Sequence, residues 1–284
     1  MPIDRRTAVG LVVPEQDFYW NESDTARYRF AIGQPVAQEG VLPTFAMTAP
    51  GAFGVASPDF YRPEPPEIRF PGICLDLNTL LHQEQQLTVH GPIPQVGYAR
   101  CRSEVVAVED HGTAAILVQR TTLLNAEGDP LISGISRIHA RGEGTGEGSN
   151  HTRPARTPAP DRAPDREVIT PTLRYQARWY QRCGRGNSMH GNVHTDAAFA
   201  RDAGLPDPIM QGVCTYAMVC AALVDAALDA DISRMRRYIA RFRGIVFPGE
   251  TLHTRIWSEG DSHVFATSVP ERTNKPVLTG VLHG

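Results

Sequence analysis

The chain is poor in several things, and each shortage removes a class of function. Only one of its 284 residues is lysine, Lys275, the remaining basic residues being arginines, and the net charge of -3 is scattered in sign. No basic face is left for nucleic acid, so the expected partner is a small molecule or a second copy of the chain. The lone lysine fits a GC-rich coding bias and says nothing of mechanism. The five cysteines (Cys74, Cys101, Cys183, Cys214, Cys220) form an odd set without a CxxC pair, and two lie in an apolar helix-like stretch. Reduced, buried thiols are expected rather than a disulfide framework. No window approaches the roughly 20 apolar residues of a membrane helix. The opening MPIDRRTAVGLVVPEQ also lacks the apolar run of a signal peptide, which gives cytoplasmic as the expected compartment.

What remains is 41% apolar content, enough to bury a full core. Residues 141–167, RGEGTGEGSNHTRPARTPAPDRAPDRE, are dense in Gly, Pro, Thr and charge and nearly free of large apolar side chains. They are expected to be an exposed linker between an N-terminal unit, 1–140, and a C-terminal unit, 168–284. In the first unit, SDTARYRFAIG predicts a short helix with Ser23 as N-cap and Gly33 as C-cap. From Leu80 onward, four β-branched stretches separated by HGPIPQ, DHG and AEGD turn signals predict an antiparallel meander. In the second unit, DAAFARDAG predicts a short helix stopped by Gly204. Met210 to Leu228 is apolar nearly all round, the mark of a helix buried on most faces. Four more strands follow: RRYIARFRGIVF, ETLHTRIWSE, SHVFATSVPER and KPVLTGVLH. Helix followed by meander in both halves predicts two copies of one α+β unit, each sheet wrapped around a helix.

Candidate chemistry concentrates at YQRCGRGNSMHGNVHTDAAFA. His190 and His194 have the spacing of two ligands on one helical face. Gly191 and Asn192 between them are poor helix formers, and no third ligand recurs nearby. A metal therefore ranks below a general-base or hydrogen-bonding role, with plain loop histidines as the other alternative. Thr195 and Asp196 read as N-caps of the following helix. In PIMQGVC, Pro208 and Gly212 bracket the start of the long helix, whose first amides have no intrahelical partner and carry the positive end of the dipole. Gly212 there is either an oxyanion site or a residue needed for tight entry into the helix. In VLPTFAMTAPGAFG, Phe45 and Phe53 are core by default or else the wall of an apolar tunnel. His82 and Glu84 alternate with apolar positions, a pattern usual for solvent-facing or interface residues.

Taken together, these stretches resemble the MaoC-like double hotdog proteins, and are similar to the type 2 (R)-specific enoyl-CoA hydratases and the hydratase portion of peroxisomal multifunctional enzymes. FYWNESDTARYRFAIG, VLPTFAMTAPGAFG and LDLNTLLHQEQQLTVHGPIPQVG carry the likeness in the first half. HTDAAFARDAGLPDPIMQGVCTYA and ARFRGIVFPGETLHTRIW carry it in the second. The resemblance implies an α+β double hotdog fold and an acyl thioester in a tunnel between the units, its carbonyl on the Gly212 amide. It also implies an Asp and a His on the preceding loop that hold water. Gly184 and Asn187 fit that loop pattern, but Arg185 stands in the place of the aspartate, Ser188 in that of the proline, and Gln211 in that of a histidine before the helix glycine.

About four inserted residues split the alignment. Counting forward makes His190 the catalytic histidine and counting back from HTDAAFA makes it His194, which is favoured because the helix fixes its position. The resemblance thus implies a divergent hydro-lyase acting on an unsaturated or 3-hydroxyacyl thioester, delivered by CoA or a carrier protein and needing neither metal nor cofactor. In that reading His194 or His190 is the acid/base, Gly212 holds the enolate oxygen, and Asn187 or Asn192 orients the substrate. Phe45, Phe53, Arg185, Asn192 and Gln211 contact it. The enlarged loop suggests a polyketide-like substrate of bacterial secondary metabolism. A cyclase closing a ring by intramolecular addition and a non-catalytic acyl-binding subunit are the alternatives. A homodimer is allowed without specific support.

Overall fold

The computed structural model describes residues 3–34, 40–50, 67–76, 79–146, 158–184 and 189–284. After a one-turn helix α1 (Arg5–Ala8) come β1 (Val12–Trp20), helix α2 (Glu22–Ala31) and a small separate hairpin, β2 (Glu67–Phe70) with β3 (Ile73–Asp76). The first unit then continues through β4 (Leu80–Val89), β5 (Gly97–Asp110), β6 (Ala114–Leu124) and β7 (Pro130–Arg141). The second unit comprises β8 (Arg166–Pro171), helices α3 (Gln176–Gln181), α4 (Ala197–Asp202) and α5 (Gly212–Ala227), and β9 (Arg237–Phe242), β10 (Thr251–Glu259), β11 (Ser262–Val269) and β12 (Lys275–His283).

Ten strands form one antiparallel sheet in the order β1-β5-β6-β7-β4-β9-β12-β11-β10-β8. Read inward from the two edges, the halves follow the same path: first strand at the rim, strand before the meander at the centre. That shared path is the duplication the amino-acid pattern suggested, with two five-stranded sheets side by side in one chain. Their seam is the β4·β9 pair, where Glu84 faces Arg241 in register and bonds it through an ion pair. Arg237 also donates to Gln86 Oε1 across the seam at 2.8 Å.

Helix α5 lies under the second sheet, packed on β8, β9, β10 and β12. All eleven residues from Cys214 to Val224 are buried, as an all-round apolar helix requires. In the first unit the buried segment that precedes the seam strand, with the β2–β3 hairpin between them, is a 3-10 segment, Pro43–Thr48, with all six residues buried. Phe18, Tyr28 and Phe45 of the first unit share one continuous core with Tyr216, Leu223 and Phe265 of the second. The short helices end as their sequences dictate. Asn21 rather than Ser23 caps α2, in a capping box with Asp24, and Gly33 follows it at φ +74°.

Of the expected linker, residues 147–157 lie outside the described residues, and both ends are bound. Arg141 closes β7, and Arg166 and Glu167 open β8. Trp257 Nε1 donates to the Arg162 carbonyl at 2.9 Å, and the Ser258 amide to Asp165 at 2.8 Å. Among the described residues no helix is long and apolar enough to cross a membrane.

Candidate active site

The loop before α4 is built by its own polar side chains. Asn192, 1% exposed, accepts from the amides of His194 (2.9 Å) and Thr195 (3.1 Å) and donates to Thr195 Oγ1 (2.9 Å). Thr195 Oγ1 in turn donates to the Met189 carbonyl at 2.7 Å. Asp196 caps α4 by accepting from the amides of Ala198 and Phe199 and also holds the Gly191 amide at 3.0 Å. Those amides, Gly191 and Phe199 foremost, keep its carboxyl below the usual carboxylate range. Asp196 is thus the expected N-cap. Asn192 is a loop-forming residue and not the substrate contact expected from the sequence, because its carboxamide is spent on the loop's backbone.

This loop places His194, with Val193, on the wall of a cavity of about 600 Å³ at one end of the seam. The wall combines Leu80, Leu81, His82, Gln83 and His139 of the first unit with Ile209 to Val213, Thr215, Phe242 to Val246 and Val277 of the second. It is largely apolar, and the described lining includes no carboxylate. His194 Nδ1 lies 3.0 Å from the Ile209 carbonyl oxygen. A carbonyl only accepts, so Nδ1 carries the hydrogen and Nε2 keeps its lone pair. Burial drives this imidazole's pKa down to about 4, against the opposing effect of the Ile209 bond. His194 is consequently neutral near pH 7 and able to accept a proton.

Gly212 and Val213, whose amides are the first of α5 and have no intrahelical partner, line the same cavity. A Cβ at position 212 would sit 3.1 Å from Phe242 Cε1, so glycine is what lets backbone, ring and a ligand meet closely here. Gln211 lines the cavity as well. Its Nε2 is tied to the Ala177 carbonyl (3.0 Å) and Gln181 Oε1 (2.9 Å), while Oε1 has no partner among the described residues.

Other expected site residues fall elsewhere. The His190 side chain is 89% exposed, with Nδ1 4.0 Å from Asp196 Oδ2, and does not line the cavity. Phe45 is corrected from tunnel wall to core. It is 2% exposed and enclosed by the rings of Phe18, Trp20 and Tyr28, at 5.6, 6.0 and 5.3 Å between centroids. Phe53, Arg185 and Asn187 lie outside the described residues. Two lining residues were not expected at the site, His82 and His139. Strand alternation marked His82 only as a polar position, and nothing local marked His139. Burial lowers the pKa of both, that of His82 to about 4. Among the described residues no group of His, Cys, Asp and Glu is arranged to hold a metal ion.

Comparison with known proteins fits this geometry. The family models for the MFE-2 hydratase 2 N-terminal domain and the MaoC like domain match residues 18–142 and 156–279. The chain is 37% identical over 294 residues to Enoyl-CoA hydratase ChsH3 of Mycobacterium tuberculosis, covering 99% of this chain and 98% of that protein. It is 32% identical to 3-hydroxyacyl-thioester dehydratase Y of the same organism, covering 95% and 92%. The crystal structure of a MaoC-like dehydratase from Phytophthora capsici superposes with a TM-score of 0.84 at 26% identity, covering 100% and 97%. With a duplicated hotdog sheet, a histidine loop and a helix-start amide on one cavity, and relatives that match from end to end, the chain belongs to the MaoC-like family.

Proposed function

We propose that this hydro-lyase adds water across the C2=C3 bond of a 2-enoyl thioester and, in reverse, dehydrates the 3-hydroxyacyl thioester. The observation that carries this is one apolar cavity shared by a neutral imidazole, His194, and the leading amide of a buried helix, Gly212. Lining residues such as Leu81, Val193, Ile209 and Ile245 suit an acyl chain, and the relatives' names support CoA as its carrier. His194 Nε2 takes a proton from water as the water oxygen bonds to C3. The alkene electron pair moves to C2 and onto the thioester oxygen, where the Gly212 N–H stabilises the developing enolate. The protonated ring then delivers its proton to C2 and returns to neutrality. The enzyme ends unchanged, and water has supplied both added groups.

A polyketide-like substrate was expected from the enlarged loop, with ring closure as an alternative reaction; residues 185–188 of that loop lie outside the described residues. Relatives named hydratase and dehydratase support addition of water itself. Retention of both His194 and Gly212 on the cavity supports catalysis over passive acyl binding. Loss of enoyl absorbance with crotonyl-CoA and a longer 2-enoyl-CoA tests the reading, and no turnover of either would refute it. His194→Ala should lower kcat by about 10²- to 10⁴-fold, and His190→Ala should matter far less. The opposite ranking would exchange the two roles.

A further inference from the structure

A water molecule poised to attack C3 donates two hydrogen bonds, and a single acceptor leaves it free to swing. His194 is one acceptor. The residue at the expected carboxylate position is Arg185, which cannot accept, and the described lining of the cavity holds no Asp or Glu. The titratable side chains there are His82, His139, His194 and Arg243.

His82 is the lining imidazole that the strand register singles out. The β4·β7 register slips between His82 and Glu84, leaving Gln83 as an extra residue, and such bulges re-aim side chains next to sites. The re-aimed imidazole packs on Phe242, 4.9 Å between centroids. That same Phe242 ring lies against Gly212. One aromatic ring therefore packs on His82 and borders Gly212, the residue whose amide would hold the thioester oxygen. The imidazole is engaged by the Gln85 side chain and the Glu84 backbone, yet its Nε2 is buried with no partner among the described residues. Leaving such an atom unsatisfied is costly, and a bound ligand or water would recover the lost hydrogen bond. His139 lines the cavity on the adjacent strand, but it is His82 that shares Phe242 with Gly212.

We infer that His82, reaching in from the first unit, is the second acceptor for the reacting water, in the place of the carboxylate that the loop lacks. The inference rests on His194 as the proton-transfer group. The water donates one O–H to His194 Nε2 and the other to His82 Nε2. As the O–C3 bond forms, the first proton passes to His194 and then to C2. The second stays on oxygen as the product hydroxyl, so His82 gains and loses no proton. In dehydration the departing water is held by the same pair.

The test compares His82→Met with His82→Gln in the full chain, two side chains of similar length of which only Gln offers a strong acceptor. With crotonyl-CoA, Met should lower kcat about 10²-fold at nearly unchanged KM, whereas Gln should stay within about tenfold of the starting enzyme. Adding His82→Met to His194→Ala should cost little beyond His194→Ala alone, because both act through one water. Full kcat in His82→Met would overturn the inference, as would equal losses in Met and Gln or a loss that multiplies with that of His194→Ala. Should either variant not fold, His82→Asn against His82→Leu makes the same comparison. A fully active His194→Ala would instead refute the role of His194, whatever His82 does.

Discussion

Titration of the buried imidazoles should be visible in stability before it is visible in rate. His194 and His82 each move from the ordinary imidazole value of 6.5 to about 4 on burial. Above pH 6.5 both rings are neutral in folded and unfolded chains and contribute nothing to the pH dependence. Between 6.5 and about 4 the unfolded chain takes up protons that the folded one refuses, so stability falls as pH falls. Below about 4 the loss is complete. At about 1.4 kcal/mol per unit of pKa, the full penalty is about 3 kcal/mol for each ring. Near pH 5 each ring should add about 1.4 kcal/mol per pH unit to the slope of unfolding free energy. His139, His263 and His283 are lowered too, so the informative quantity is a difference between chains. Denaturant unfolding from pH 7.5 to 4.5 should show His194→Gln flatter than the unmodified chain by one proton's worth. An identical slope would mean that His194 is not held neutral by burial, and the proton-acceptor argument would lose its basis. In the folded enzyme the acid limb of kcat/KM should correspondingly lie well below pH 6.5.

Three further outcomes follow from the geometry. Gly212→Ala puts a Cβ 3.1 Å from Phe242 Cε1, so the ring must shift from beside the helix-start amide; kcat on crotonyl-CoA should fall about tenfold or more while the melting temperature changes little. Phe45→Ala removes a core ring and should destabilise by about 3–5 kcal/mol; activity per folded molecule should fall alike for short and long enoyl-CoAs, and a selective loss on long chains would return Phe45 to the substrate wall. Arg241→Met leaves Glu84, 8% exposed, as an unpaired charge in the seam; urea unfolding should show a loss of about 3–5 kcal/mol, much of it recovered by adding Glu84→Gln.

How far the sequence could be read depended on whether a signal was local. Met210 to Leu228 announces α5 because eleven consecutive residues are buried on all sides. The meander strands are β-branched and bounded by turns, so they were legible too. β1, VVPEQDFYW, was not. It is an exposed rim strand with Pro14 at a register slip between Val13 and Gln16, and its only strand evidence is its pairing with β5. β8 was hidden by lying at the end of a charged tract. At the site, His194 and Gly212 could be located because each adjoins a helix start with its own punctuation. His82 could not, since a one-residue bulge reverses the side-chain alternation on which a strand reading depends.

The duplicated path also explains why the two ends of the seam differ. In each half a buried segment precedes the central strand: α5 before β9, and Pro43–Thr48 before β4. If both ends carried a site, the counterpart of the Gly212 amide would be the start of the 3-10 segment. There Pro43 brings no N–H. Two residues on, Phe45 is packed by Phe18, Trp20 and Tyr28, and the Tyr28 hydroxyl donates to Thr44 at 2.8 Å. Among the described residues that end is thus filled with aromatic side chains and has no comparable leading amide. At the other end, Gly212 offers an N–H and Phe242 borders a cavity beside it, whose wall includes His82 from next to the β4 bulge. The first unit has kept the strand that reaches the site and, among the described residues, given its own counterpart position over to core packing, so the cavity beside a leading helix residue lies at the Gly212 end of the seam.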